Sequence, residues 1–327
     1  MSGLRVAFHK ESWPLAAPFR FAGHTIASSD VVVVTLTDGA FRGRGEATGV
    51  IYLGETPDSI CAQIAAVAGR LEDGLGRGEL AAALPPGGAR NAIDCALWDL
   101  ECKRAGRTIW ELLGLKPKPV LTCNTVGLDP VPTARARAVV LGDYPLLKVK
   151  VDREDPVRRV AAVRAARPDA RIIIDANGAW DRETLAEVAG PLRALGVEMI
   201  EQPLPPGADA ALADFSSPIP LCADESCLVA ADVPALVGLY SLVNIKLDKC
   251  GGLTEALRLM QAAETAALGT MVGNMIGTSL SMAPNLVVAQ TCLYADLDGP
   301  LALVRDRAGG LEYRAGRVSI PQPRLWG

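Results

Sequence analysis

Histidine is nearly missing: the 327 residues hold only two, His9 and His24, both near the start of the chain. Zinc sites and Ser/His/Asp triads need imidazole placed among other ligands or bases, so neither is easily built here and the chemistry falls to carboxylates and amines. None of the eight cysteines (61, 95, 102, 123, 222, 227, 250 and 292) stands in a CxxC pair. Most lie in apolar segments such as "NAIDCALW", where reduced core thiols are common. There is no basic block either: Lys+Arg number 33 against 37 Asp+Glu, a net charge of -4, so nucleic acid is not an expected partner. The opening "MSGLRVAFHKESWP" has scattered charges and no apolar core of the kind a signal peptide carries, and the expected location is cytoplasmic. Residues 265–295 lack any charged side chain. Gly269, Asn274, Thr278, Ser279, Pro284, Asn285 and Gln290 interrupt that stretch before the roughly 18–20 apolar residues of a membrane span, which predicts a buried core segment and no membrane partner.

What is present is ample material for a core: 50% of residues are hydrophobic and 21% charged, a globular composition. The length suits two domains, or one large barrel with an appendage. "VVVVTLTDGAFRGRGEA" reads as two strands joined at Asp38-Gly39, a hairpin turn dipeptide. Helices are predicted over 57–73 and 88–105, the second with Ile93, Ala96, Leu97 and Leu100 on one face and Gly106 as its stop, and a helical turn at "TIWELLG".

After Pro119 a unit recurs in which an apolar strand ends in a polar cluster and an Ala/Arg/Leu-rich helix follows. The strand ends are "PLLKVK", "RIIIDAN", "VEMIEQP", "PLCADES", "LVNIKLDK", "GTMVGNM" and "YADLDGP". The charged markers Lys150, Asp175, Glu201, Asp224 and Lys246 are spaced by 25, 26, 23 and 22 residues, and Asp296 follows 50 residues on, after two units. That period is one βα unit, and an unbroken series closes as a parallel barrel; with "VLTCNTV" as first strand the count is eight. The predicted fold is therefore α/β: a modified (β/α)7β TIM-type barrel over 115–304, an N-terminal α+β capping domain over 1–114, and a C-terminal segment, 305–327, that returns to the cap.

The C-terminal ends of barrel strands form one mouth, so these markers converge. Asp175, Glu201 and Asp224 on consecutive strand ends cannot lie together uncompensated, because repulsion and desolvation penalise the charged forms. A hard divalent cation resolves this, Mg²⁺ with Mn²⁺ as a substitute; the competing reading pairs the acids with nearby lysines as ordinary salt bridges. In "PLLKVKVD", Lys148 and Lys150 face one side of a strand, and Lys246 lies across the mouth from Lys150. An amine flanked by a metal ion and another amine is driven toward its neutral, basic form. Two such bases on opposite sides of a substrate suit 1,1-proton transfer α to a carboxylate, through a metal-stabilised enediolate.

These strand ends resemble the enolase superfamily, in which a Lys or His base works with Mg²⁺. "LLKVKVD", "IIIDANGAW", "IEQPLP", "CADESC" and "VNIKLDKCGGLTEAL" are similar to the muconate-lactonizing-enzyme subgroup, most of all to its dipeptide epimerases, from "ESWPL" to "ADLDGP". The resemblance implies Asp175, Glu201 and Asp224 as ligands of one Mg²⁺ and Lys150 and Lys246 as the acid/base pair. It implies that Lys148 contacts the substrate carboxylate and Thr125 the substrate, with Asn177 and Glu225 as supports. Lys249 is expected to form a salt bridge. Asp296 and Asp298 would grip the substrate's ammonium group, which implies a small dipeptide substrate of the L-Ala-D/L-Glu kind. An arginine that the resemblance pairs with a C-terminal glutamate falls at Ile26 in "RFAGHTIASSD", leaving Arg20 and His24 as the polar side chains there. Sibling reactions of the subgroup, o-succinylbenzoate synthesis or muconate cycloisomerisation, are the alternatives, followed by a Schiff-base barrel and a non-catalytic binding barrel. A homo-oligomer is compatible with all of them.

Overall fold

Four consecutive valines, at 31–34, determine how the N-terminal sheet meets the rest of the chain. The computed structural model describes residues 3–21 and 23–327 and opens with an antiparallel sheet of β1 (Arg5–Phe21), β2 (His24–Asp38) and β3 (Phe41–Ala47), in that order. Side chains alternate across a strand, so an unbroken apolar run must be covered on both faces. Val31 and Val33 enter the large core shared with the barrel. Val32, Val34 and Leu36 enter a second core with Ile60, Ile64 and Leu71 of the helix Pro57–Glu72 and Ile93 and Leu100 of the helix Gly88–Ala105. A Cβ at Gly43 would lie 2.2 Å from the Ala96 carbonyl oxygen, and one at Gly45 2.1 Å from that of Ala92. Glycine is what lets this helix lie directly on β3. A short helix, Arg77–Ala83, adds one element that the hydrophobic pattern did not suggest.

After β4 (Val120–Leu121) come β5 (Asn124–Val126), β6 (Leu146–Lys150), β7 (Arg171–Asp175), β8 (Val197–Glu201), β9 (Leu221–Ala223), β10 (Leu242–Ile245), β11 (Gly269–Val272) and β12 (Tyr294–Ala295). Strands β5 to β12 form one sheet in chain order, with every pairing parallel. The Cys123 amide donates to the Ala295 carbonyl at 2.8 Å, which joins the two ends of that sheet. This is the predicted barrel, with one correction. "VLTCNTV" is not a single strand: β4 pairs antiparallel with the tail hairpin of β13 (Tyr313–Arg314) and β14 (Arg317–Val318), and only β5 joins the barrel.

Inside the barrel, Cys123, Leu146, Ile173, Met199, Cys222, Leu242 and Met271 form a layer to which successive strands contribute, a packed floor beneath the mouth. The charge-free stretch is accounted for by the helix Ser279–Ala289, every residue of which is buried. Among the described residues no helix is long and apolar enough to cross a membrane. The tail reaches back to the first sheet and its helix: Arg307 Nη2 donates to Glu11 Oε2 at 2.6 Å and Glu46 Oε2 at 2.7 Å, Trp326 Nε1 to the Cys95 carbonyl at 2.9 Å, and the Gly327 amide to Asp99 Oδ1 at 2.8 Å.

Candidate active site

Alternation along β6 sends its side chains to two destinations. Leu147 and Val149 enter the outer core and Leu146 the inner layer, so Lys148 and Lys150 share the inward face with Leu146. Strand pairing aligns their neighbours: Lys150 is opposite Asp175 and Asp175 opposite Glu201. Asp224 follows β9 and Lys246 follows β10. The three acids are fully buried, and one oxygen of each lies within 4.8 Å of the others.

Lysines surround them. Lys148 Nζ lies 3.0 Å from Asp175 Oδ2, 2.7 Å from Glu201 Oε2 and 2.9 Å from Asp296 Oδ2. Lys150 Nζ donates to Asp175 Oδ2 at 2.6 Å and to Asn177 Oδ1 at 2.8 Å, and Asn177 Nδ2 passes the chain on to Glu225 Oε1 at 3.0 Å. On the far side Lys246 Nζ donates to Asp224 Oδ2 at 2.6 Å. Lys249 Nζ holds Asp224 Oδ1 at 2.6 Å, its carbonyl, and the carbonyls of Cys227 and Asn244, both at 3.0 Å. Six carboxylates (Asp175, Glu201, Asp224, Glu225, Asp296, Asp298) against four ammonium groups (Lys148, Lys150, Lys246, Lys249) leave two negative charges uncompensated, six minus four.

The excess is visible in the titration. Burial would raise all three acids, but Lys148 and Lys150 hold Asp175 below the usual carboxylate range, and Lys246, Lys249 and Lys148 do the same for Asp224. At Glu201 the lysines do not offset burial and Asp175, which push it up to about 8. Burial and the neighbouring Asp296 lift Asp298 to about 7. Glu201 Oε2, although close to Lys148, is off the hydrogen-bonding direction and accepts none. A buried carboxylate oxygen that accepts no hydrogen bond, close to two other carboxylates and with two negative charges in excess, is what a divalent oxygen-liganded ion fits. Burial lowers Lys246, but Asp224 and Glu201 outweigh it and hold the amine above its usual value.

Two other expected residues land differently. Asp296 and Asp298 lie beyond the end of β12, not along one strand face, and Asp296 is taken up by Lys148 and by the Cys123 thiol at 3.3 Å. Asp298 Oδ2 accepts the Thr125 amide at 2.7 Å, so Thr125 presents its backbone to Asp298. In the β1–β2 hairpin Arg20 Nη1 bonds Asp129 Oδ1 at 3.0 Å, His24 is exposed beside Phe21 with ring centroids 5.7 Å apart, and Ile26 faces Phe19. Two residues were given no role from sequence. Asn244 Nδ2 donates to Glu201 Oε1 at 2.8 Å, and Gln202 Oε1 accepts the Asp224 and Ser226 amides at 2.8 and 3.1 Å. Asn244 sits two residues before Lys246, and strand alternation alone places both on one face.

A parallel barrel whose strand ends supply a carboxylate triad between two lysines, under an α+β cap, defines a class of proteins by fold and site together. Residues 133–324 match the family model described as enolase C-terminal domain-like, and residues 4–114 match the mandelate racemase / muconate lactonizing enzyme N-terminal domain. The chain belongs to the enolase superfamily, in its mandelate racemase / muconate lactonizing enzyme group. It is 42% identical over 318 residues to the L-Ala-D/L-Glu epimerase of Escherichia coli (strain K12), covering 96% of this chain and 99% of that protein. An enolase family member from Agrobacterium tumefaciens with homology to dipeptide epimerases, solved with bound sodium and L-Ala-L-Glu, superposes with a TM-score of 0.95 at 43% identity over 99% of this chain and 100% of that one. The dipeptide epimerase of Enterococcus faecalis, solved with Mg and L-Leu-L-Tyr, gives 0.90 at 29% identity over 97% of each chain.

Proposed function

We infer that this protein is a Mg²⁺-dependent dipeptide epimerase that inverts the carbon α to the C-terminal carboxylate by 1,1-proton transfer between Lys150 and Lys246. The observation that carries this is positional. Lys150, ending β6, and Lys246, following β10, each stand two strands from Glu201 on β8, one pairing with Asp175 and the other with Asp224. Asp175, Glu201 and Asp224 would hold the ion, which supplies charge stabilisation for a carboxylate losing its α-proton. Each lysine then faces one side of the α-carbon: one takes the proton from its face and the other returns one to the opposite face. Lys148, fixed by three carboxylates, keeps a positive charge beside Lys150 and toward the substrate carboxylate. Asn177 orients Lys150 and is itself fixed by Glu225. With Asp296 bound to Lys148, Asp298 is left to receive the dipeptide's ammonium group. In the hairpin Ile26 stands at the expected arginine's place and Arg20 is bound to Asp129, so the preferred C-terminal residue need not be acidic.

The division of labour along the chain follows the same reading, with 1–114 as cap, 115–304 as catalytic barrel and 305–327 as a strap that completes the cap. All eight cysteines are free, in keeping with a cytoplasmic site of action. The deciding experiment incubates the protein with Mg²⁺ and a small library of L,L-dipeptides in deuterated water. One deuterium at the α-carbon of the C-terminal residue, with formation of the epimer, is the expected outcome; a library that gains no deuterium would refute the reading.

A further inference from the structure

Asp248 lies two residues beyond Lys246 in the short helix Leu247–Cys250, is 5% exposed, and forms no ion pair among the described residues. What it holds is backbone from the other end of the chain. Its Oδ1 accepts the amides of Thr48 at 3.0 Å and Gly49 at 3.1 Å, 200 and 199 residues away in sequence. Gly49 has a φ of +85°, where a side chain would be strained and its Cβ would meet Ile60 Cδ1 at 2.8 Å, so the turn that aims this amide at Asp248 is specified by glycine. The next amide, of Val50, is held within the cap by Glu55 Oε2 at 2.9 Å. The turn Ile51–Leu53 follows, with Ile51, Tyr52 and Leu53 at 42, 45 and 49% exposure. Three consecutive large apolar side chains left uncovered are unusual beside a polar site.

We propose that Asp248 is a positioning residue that registers the cap turn over Lys246: its two amide contacts hold Ile51, Tyr52 and Leu53 at the barrel mouth, where they enclose the side chain of a bound dipeptide. The segment that begins at Lys246 thereby fixes both an acid/base group and the surface that closes on the substrate. This rests on the epimerase reading above. Glu55, which ties the same turn to the cap, marks the contrast: Asp248 ties its backbone to the barrel, beside the Thr48 hydroxyl, which donates to the Ile276 carbonyl at 3.1 Å.

The test compares Asp248→Ala with Asp248→Asn, since the carboxamide oxygen still accepts both amides. Losing two backbone hydrogen bonds of about 0.5–1.5 kcal/mol each predicts a KM raised about 10-fold or more in the alanine variant, with kcat within about threefold. The asparagine variant should keep KM within about threefold of the parent, because both hydrogen bonds can persist. Hydrogen exchange at the Thr48 and Gly49 amides, read on the Mg²⁺-loaded protein without substrate, should accelerate in Asp248→Ala and not in Asp248→Asn. An unchanged KM with unchanged exchange, a loss confined to kcat, or an asparagine variant as impaired as the alanine one overturns the proposal. Should the parent protein epimerise no dipeptide, the functional reading fails, while the exchange of the two amides still decides whether Asp248 holds the turn.

Discussion

Removing Lys246 tests the opposed-base arrangement most directly. In Lys246→Met the unbranched side chain fills nearly the same space but carries no proton. Asp224 loses one partner at 2.6 Å and keeps Lys249 on its other oxygen, also at 2.6 Å, so it is not left unpaired. The local charge changes from an excess of two negative charges to three, which favours a divalent cation rather than opposing it. The metal site should therefore survive, and Mg²⁺ titration of the variant is the control for folding. What disappears is proton transfer on one face: loss of a positioned acid/base group costs about 10²–10⁴ in rate, or about 3–5 kcal/mol of barrel-bound transition-state stabilisation. The assay is α-hydrogen exchange in deuterated water, starting from each epimer separately. Lys246→Met should lose exchange from one epimer, and Lys150→Met, in which Asp175 retains Lys148 at 3.0 Å, should lose it from the other. Both variants silencing the same epimer, or either one exchanging both epimers at the parental rate, refutes opposed bases.

Dialysis against EDTA should abolish epimerisation, and added Mg²⁺ should restore it; at 100 times its Kd the ion should also raise folding stability by about 2.7 kcal/mol, read as a rise in Tm, and an activity and Tm indifferent to chelation would rule out the metal centre. Asp94 joins the cap helix to the barrel by accepting the Thr254 amide at 2.9 Å and its hydroxyl at 2.6 Å, and burial raises its pKa to about 6 from 3.8. Because the folded state binds this proton more tightly than the unfolded one, stability should fall as pH rises from about 4 to about 6, by about 3 kcal/mol at this site; urea midpoints should show a flatter dependence in Asp94→Asn, and equal slopes in the two proteins would refute the assignment.

The barrel was legible because each unit writes the same sentence: an apolar strand, a charged terminus and a helix, at a period near 25 residues that no other arrangement of strands requires. The acid triad was legible for the same reason, since the last residue of a barrel strand has one destination. Features set by contacts between distant segments left no such trace. "VLTCNTV" reads as one continuous strand, and nothing in its pattern announces that Val120 and Leu121 pair with Val318 and Arg317 while Asn124 starts the barrel. Asp296 and Asp298 read as a pair because they are two apart, yet Lys148 claims the first. Asp248 is one acid among thirty-seven acidic residues, and its role follows from two amides at the opposite end of the chain.

The two adjacent lysines of β6 are kept apart in function by depth. Lys148 is 1% exposed and lies further down, between Asp175, Glu201 and Asp296, so its ammonium group offsets buried negative charge. Lys150, at 8%, reaches the rim with only Asp175 and Asn177 as partners, and Lys246, at 7%, reaches it from the other side with Asp224. Asp175 and Asp224, which would hold a divalent ion together with Glu201, are also the carboxylates that hold Lys150 and Lys246, while Lys148 has Asp296 besides. Like charge beside like charge on one strand is tolerated here because the two lysines share Asp175 and Lys148 has Glu201 and Asp296 besides.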